Sequence, residues 1–148
     1  MIRRHVHAFS GLEFDWLACD QDGFVATFSS AGFGPVPDAA IQIADSLREM
    51  LDRIKALPAT GDSTTISGRT DPDDWIATAR RGLFAFDWDH MRERYRIEGL
   101  PSRPVHLNDI MDDVIRQAAE SVPIPVRFSQ VRWLDWDENG RLSAGADI

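Results

Sequence analysis

The chain has 148 residues, 43% hydrophobic and 27% charged, the balance of one globular domain that buries its core without staples. Its formal net charge of -8 sets it against phosphate backbones, which excludes nucleic acid as a default partner and favours a basic protein. No apolar run approaches the roughly 20 residues of a membrane-spanning helix, and the lone Cys19 excludes an intramolecular disulfide.

From the N-terminus, "MIRRHVHAFSGLEFDW" has a basic pair but no apolar core of a signal peptide, so a cytoplasmic protein is expected. "FDWLACDQDGFVATFSS" reads as a β-hairpin, two β-rich runs around the turn residues Asp20, Gln21, Asp22 and Gly23. The next stretch, "FSSAGFGPVPDAAIQ", has the strand–glycine–helix layout of a phosphate site. It lacks the third glycine of a dinucleotide fingerprint and the Gly-Lys-Ser/Thr of a P-loop. Pro35 and Pro37 also remove N–H donors at the helix start. It therefore reads as a rigid corner in which Gly32 and Gly34 supply unusual φ, and no nucleotide cofactor is expected.

"DAAIQIADSLREMLDRIKAL" predicts a helix over 38–57, capped by Asp38, with Ile43, Ala44, Leu47, Met50, Leu51, Ile54 and Leu57 on one stripe. A polar loop over 58–70 follows, the segment expected to be most mobile. "DPDDWIATARRG" predicts a short helix with Asp71 as cap, acidic residues in its first turn, Arg80 and Arg81 in its last, and Gly82 as stop. "LFAFDW" and "RYRIEG" predict a second strand pair. "LPSRPVHL" then leads to a helix over 108–121, with Asn108 as N-cap and Ile110, Met111, Val114, Ile115 and Ala118 on its apolar face. "VRFSQVRWLDWDENGRLS" predicts a last strand and a turn at Asp137 to Gly140. The order, ββα, short helix, ββα, ββ, predicts a single α+β domain over 1–148, its helices on one face of a mainly antiparallel sheet.

Two stretches share one pattern: "WLACDQDGFV" from Trp16 and "WLDWDENGRL" from Trp133 both read W-L-x-x-D-x-[D/N]-G-x-apolar. Shared hairpin chemistry explains this, since Asp and Asn bond their own turn backbone and Gly supplies positive φ. "DWDENG" also matches the first half of a calcium loop, but position twelve, where a bidentate Glu belongs, is Ala146. No metal is expected there. His5 and His7 could share a strand face, but no third ligand is evident. There is no G-x-S-x-G, H-E-x-x-H or C-x-x-C, so no catalytic residues are assigned.

The unusual local feature is tryptophan. Asp precedes four of the five, at Asp15-Trp16, Asp74-Trp75, Asp87-Trp88 and Asp135-Trp136. On a strand the aromatic ring and the acid point to opposite faces. Trp133 and Trp136 cannot share a face of a regular strand, so one of them belongs outside the core unless a bulge intervenes. Arg94, Arg96, Arg127 and Arg132 are candidates to interleave with the carboxylates. Asp87, Trp88 and Asp89, with Asp135, Trp136 and Asp137, are the candidate partner-binding residues: acids to steer a basic protein and an aromatic ring to anchor it.

"DWLACDQDGFVATFSSAGFGPVP", with the later "RGLFAFDW" and "RPVHLNDI", resembles a pattern of small uncharacterised bacterial α+β proteins, some of which serve as immunity partners of polymorphic toxins. That resemblance implies a non-enzymatic, single-domain bacterial protein and carries over no functional residues. Two functions stay open: a protein-binding module of the inhibitor or immunity type, and a small-molecule binder or enzyme whose site is assembled only in three dimensions. A closed pocket holding His90 or His106 beside Cys19 or paired carboxylates would favour the second.

Overall fold

A computed structural model of the protein describes residues 15–31, 34–42, 50–65, 73–137 and 141–145. His5, His7, Gly32, Asp71, Asn139 and the middle of the first predicted helix lie outside the described residues. The elements are strands β1 (Asp15–Cys19), β2 (Val25–Ser29), β3 (Ser63–Thr65), β4 (Phe84–Asp89), β5 (Arg94–Pro101), β6 (Trp133–Trp136) and β7 (Leu142–Ala144). The helices are α1 (Asp38–Gln42), α2 (Met50–Lys55), α3 (Asp73–Arg80) and α4 (Asp113–Glu120). The strands form one curled, mostly antiparallel sheet in the order β1-β2-β4-β5-β6-β7, with β3 on the C-terminal half of β5. The exception in direction is β2–β4, a parallel pair. Parallel neighbours need a long crossover, and the chain between them carries α1, α2, β3 and α3.

Register fixes what each face of the sheet carries. The pairs Trp16↔Phe28, Phe28↔Phe86, Trp88↔Tyr95, Tyr95↔Leu134 and Trp136↔Leu142 put the large apolar side chains on one face. Phe28 stacks on Trp16 at 4.1 Å and on Phe86 at 4.7 Å, and Phe128 closes the cluster edge-on. Curling brings β1 and β5 within reach of each other across this face: Trp16 Nε1 donates to Tyr95 Oη at 3.2 Å. Tyr95 is fully buried and its hydroxyl donates to Pro35 O at 2.8 Å. Burial pushes the Tyr95 phenol far above its ordinary range.

The glycine corner rests on this tyrosine. Gly34 N–H donates to Ser30 O at 2.7 Å, and Ala31 is left-handed, at φ 54. Gly34 is required for space, where positive φ had been expected: a Cβ there would lie 2.7 Å from Tyr95 Oη and 3.0 Å from Trp88 Cβ. The corner is a plug on the aromatic core.

α3 lies on the face of the sheet opposite the aromatics, over the small residues Ala85 and Gly99. A Cβ on Gly99 would come 3.0 Å from Trp75 O and 3.5 Å from Ala79 Cβ, so a large side chain has no room under this helix. The loop over 58–70 contains a strand, because Ser63–Thr65 adds to the free edge of β5. The third helix starts at Asp113, not at Asn108. Asp112 caps it, its Oδ1 accepting from Val114 N–H at 2.9 Å and Ile115 N–H at 3.1 Å. Asn108 instead lies in a 3₁₀ turn, Leu107–Asp109, where its N–H donates to His106 Nδ1 at 3.0 Å. Met111, expected on the apolar face, is 88% exposed. Asp112 Oδ2 also accepts from Arg53 Nη1 at 2.9 Å, tying α2 to the start of α4.

Candidate functional site

The face of β4–β5–β6 opposite the aromatics is charged. On β4 it presents Asp87 and Asp89, on β5 Arg94 and Arg96, on β6 Trp133 and Asp135, in the register Asp87↔Arg96↔Trp133. The same row continues through Ser29 to Asp15 on β2 and β1. Period-two alternation in "FDWD" and "RYRIEG" places acids opposite arginines, so like charges do not face each other across the ladder.

At the centre of the face is Trp133, 6% exposed and yet outside the aromatic cluster. It is buried under cations. The guanidinium carbons of Arg94, Arg92 and Arg96 lie 4.7, 5.5 and 5.8 Å from its ring centroid. Each arginine is held by a carboxylate. Arg94 Nε donates to Asp135 Oδ1 at 2.7 Å, Arg92 Nη1 to Asp89 Oδ2 at 3.1 Å, and Arg96 Nε to Glu98 Oε2 at 2.6 Å. Arg96 Nη1 also reaches Asp89 Oδ2, at 3.5 Å. The planar fork of arginine allows it to meet a carboxylate at its edge and an indole at its face together.

Asp89 joins this network to the β4–β5 turn. Its Oδ1 accepts from Met91 N–H and Arg92 N–H, both at 3.0 Å. Burial alone would raise this carboxyl, but the Arg92 backbone N–H and side chain, with the charge of Arg96, outweigh it and hold the pKa low. Glu98 is fully buried. It is the extra residue at the β-bulge between Ala85↔Gly99 and Phe86↔Ile97, and its Oε1 has no hydrogen-bond partner among the described residues.

Of the six residues singled out from sequence, five divide between the two faces and one lies at a turn. Asp87, Asp89 and Asp135 come together on the charged face. Trp88 and Trp136 lie on the aromatic side, half-buried and packed against the core. Asp137 is exposed and holds the β6–β7 turn: its N–H donates to Arg141 O and its Oδ1 accepts from Arg141 N–H, both at 2.9 Å. Of the four interleaving candidates, Arg94 and Arg96 take part, whereas Arg127 pairs with Asp22 at the first hairpin, at 3.0 Å. Sequence reasoning missed Arg92, Glu98 and the central place of Trp133. The alternation Arg92, Arg94, Arg96, Glu98 was the signal available for them.

Cys19 is buried, and burial, then the charges of Asp20 and Glu120, push its thiol up, the reverse of what activates a nucleophilic cysteine. His106 accepts from Asn108 N–H and packs edge-on against Phe24 at 5.9 Å. Among the described residues no group of three or more His, Cys, Asp or Glu side chains is arranged to hold a metal ion, and no helix is long and apolar enough to cross a membrane. Comparison with protein-family models, curated proteins and solved structures gave no match to this chain.

Proposed function

We propose that this is a cytoplasmic, non-enzymatic protein-binding module of the inhibitor or bacterial immunity type, and that the charged face of β4–β5–β6 docks a basic protein. The observation that carries the reading is Trp133 held beneath three arginines that are themselves clamped by Asp89, Asp135 and Glu98. Ordering long charged side chains is a main cost of forming a polar interface. Here that ordering is built into the fold, so the face is pre-organised. The face also carries the acids Asp87, Asp89 and Asp135, with Asp137 exposed at the adjoining β6–β7 turn, and these supply steering charge. Trp88 and Trp136, expected as anchors, lie half-buried on the opposite, aromatic side of the sheet and add no contact area to this face.

The immunity reading has two direct tests. A toxin domain should be encoded immediately upstream of this chain in its host, and coexpression of the two should restore growth. A purified basic partner should then bind with strong salt dependence. The paired substitutions Asp87→Asn with Asp89→Asn, and Asp135→Asn with Asp137→Asn, should slow association and flatten that dependence. Unchanged association in both paired variants removes this face from the interface. A toxin that kills equally with and without this chain removes the immunity role.

A further inference from the structure

A second site lies away from the charged sheet face. Four segments meet there: the end of α2, the end of α3, the loop after β5 and the 3₁₀ turn before α4. They enclose a groove of about 360 Å³ walled by Leu57, Pro58, Pro104, Val105, Ile110 and Met111. Its volume is within the range of small-ligand pockets. Hydrogen bonds fix the walls. Thr60 N–H donates to Arg80 O at 2.7 Å, Thr60 Oγ1 to Arg103 O at 3.0 Å, and Val105 N–H to Gly82 O at 2.9 Å. Gly82 is at φ +90, and a Cβ there would meet Arg103 O at 3.0 Å, so the turn that shapes the groove is specific to glycine.

Two arginines line this apolar groove, Arg81 and Arg103. Several other arginines are matched with carboxylates, as Arg53 is with Asp112 and Arg94 with Asp135. Arg81 and Arg103 form no ion pair among the described residues. Arg81 Nη1 and Nη2 are spent on Ala77 O and Lys55 O, both at 2.9 Å. Its Nε–H is buried and has no acceptor among the described residues. A buried donor without an acceptor costs stability unless a bound group supplies one. Asp109 is the single acid in the lining, so the groove carries one net positive charge in a chain of net charge -8.

We propose that this groove binds a small apolar monocarboxylate, its carboxylate between Arg81 and Arg103 and its tail along Leu57, Val105 and Ile110. One negative charge balances the groove. A second would meet Asp109, so dicarboxylates are excluded. Met111, 88% exposed, also lines the groove. A flexible thioether suits a wall that must adapt to tails of different length.

The experiment is a titration of the full chain with octanoate, read by the Arg81 Nε–Hε and Met111 methyl NMR signals. Octanoate should saturate and move both signals. 1-Octanol keeps the tail without the charge, and acetate the charge without the tail; each should bind at least roughly tenfold more weakly, about 1.4 kcal/mol. Arg103→Gln is a surface change that leaves the fold intact, and it should weaken octanoate by a similar factor. Arg81→Lys keeps the charge but not the Nε–H donor, and should weaken it as well. Asp109→Asn should tighten octanoate and admit the dicarboxylate suberate. Failure of octanoate to saturate, equal binding of 1-octanol, or unchanged affinity in Arg103→Gln would each overturn the proposal.

Discussion

The β1–β2 and β6–β7 hairpins are built on the same ten-residue pattern and close with the same bonds. Asp20 N–H donates to Phe24 O and Asp20 Oδ1 accepts from Phe24 N–H, both at 2.9 Å. Asp137 and Arg141 repeat both bonds at the same distance. The surroundings differ. Asp20 is 5% exposed; its Oδ1 also accepts from Asp22 N–H at 3.0 Å, and its Oδ2 from Phe128 N–H at 3.0 Å, across 108 residues of chain. Asp137 is exposed. The same turn is a structural joint in one place and a surface feature in the other. Turn chemistry sets the local bonds, and the rest of the fold decides what they are worth.

The largest expected effect comes from cutting the buried joint. Asp20→Ala strands three backbone N–H groups, two in the turn and one on Phe128, and should lower unfolding free energy by about 3 kcal/mol or more in urea titrations followed by tryptophan fluorescence. A loss no greater than that of Asp137→Ala would erase the distinction between the hairpins. Next in size is Gly23→Ala. Gly23 is at φ +89 and a Cβ would lie 2.2 Å from His106 Nε2, so left-handed strain and a clash add, for about 2 kcal/mol. A paired His106→Ala should recover part of that loss by removing the clash and leaving the strain.

Legibility follows the same division. The hairpin at Asp20, the pairing of "LFAFDW" with "RYRIEG" and the helical ends of the 38–57 segment were readable, because each is set by residues a few positions apart. The start of α4 was misplaced because Asn108 and Asp112 are both good caps. Packing chose between them, through the bond from Arg53 to Asp112, 59 residues away. Strand β3 was missed because "STT" has no apolar period, and its place is set by the open edge of β5. At the candidate site the acids were readable as acids beside tryptophans. Register then carried Trp88 and Trp136 to one face and Trp133, with its arginines, to the other, and register between strands is not a local property.

A third aspartate-capped hairpin, at Asp89, lies between the two extremes and can be tuned by pH. Its carboxyl is held below the ordinary value near 4. The stabilisation is therefore complete above about pH 4 and is lost as pH falls through the lower folded value. Asp89→Asn keeps an oxygen acceptor for the turn and removes the charge that Arg92 and Arg96 share. It should cost about 1 kcal/mol at neutral pH. The gap between the two proteins should close as acid protonates the wild-type carboxyl. A gap that persists at low pH would assign Asp89 a packing role independent of its charge.

The smallest effect is expected at the exposed member of the pair. Among the described residues Asp137→Ala removes the acceptor of Arg141 N–H, which can turn to water, so the loss should be about 0.5 kcal/mol. That mildness makes it useful. A variant that keeps the fold can report on partner binding without a stability correction, which Asp20→Ala cannot. If Asp137 belongs to the docking face, Asp137→Ala should slow association with a basic partner at low salt and leave urea unfolding nearly unchanged. A stability loss as large as that of Asp20→Ala would show that the second hairpin is a joint of the fold as well, and the contrast between the two turns would be gone.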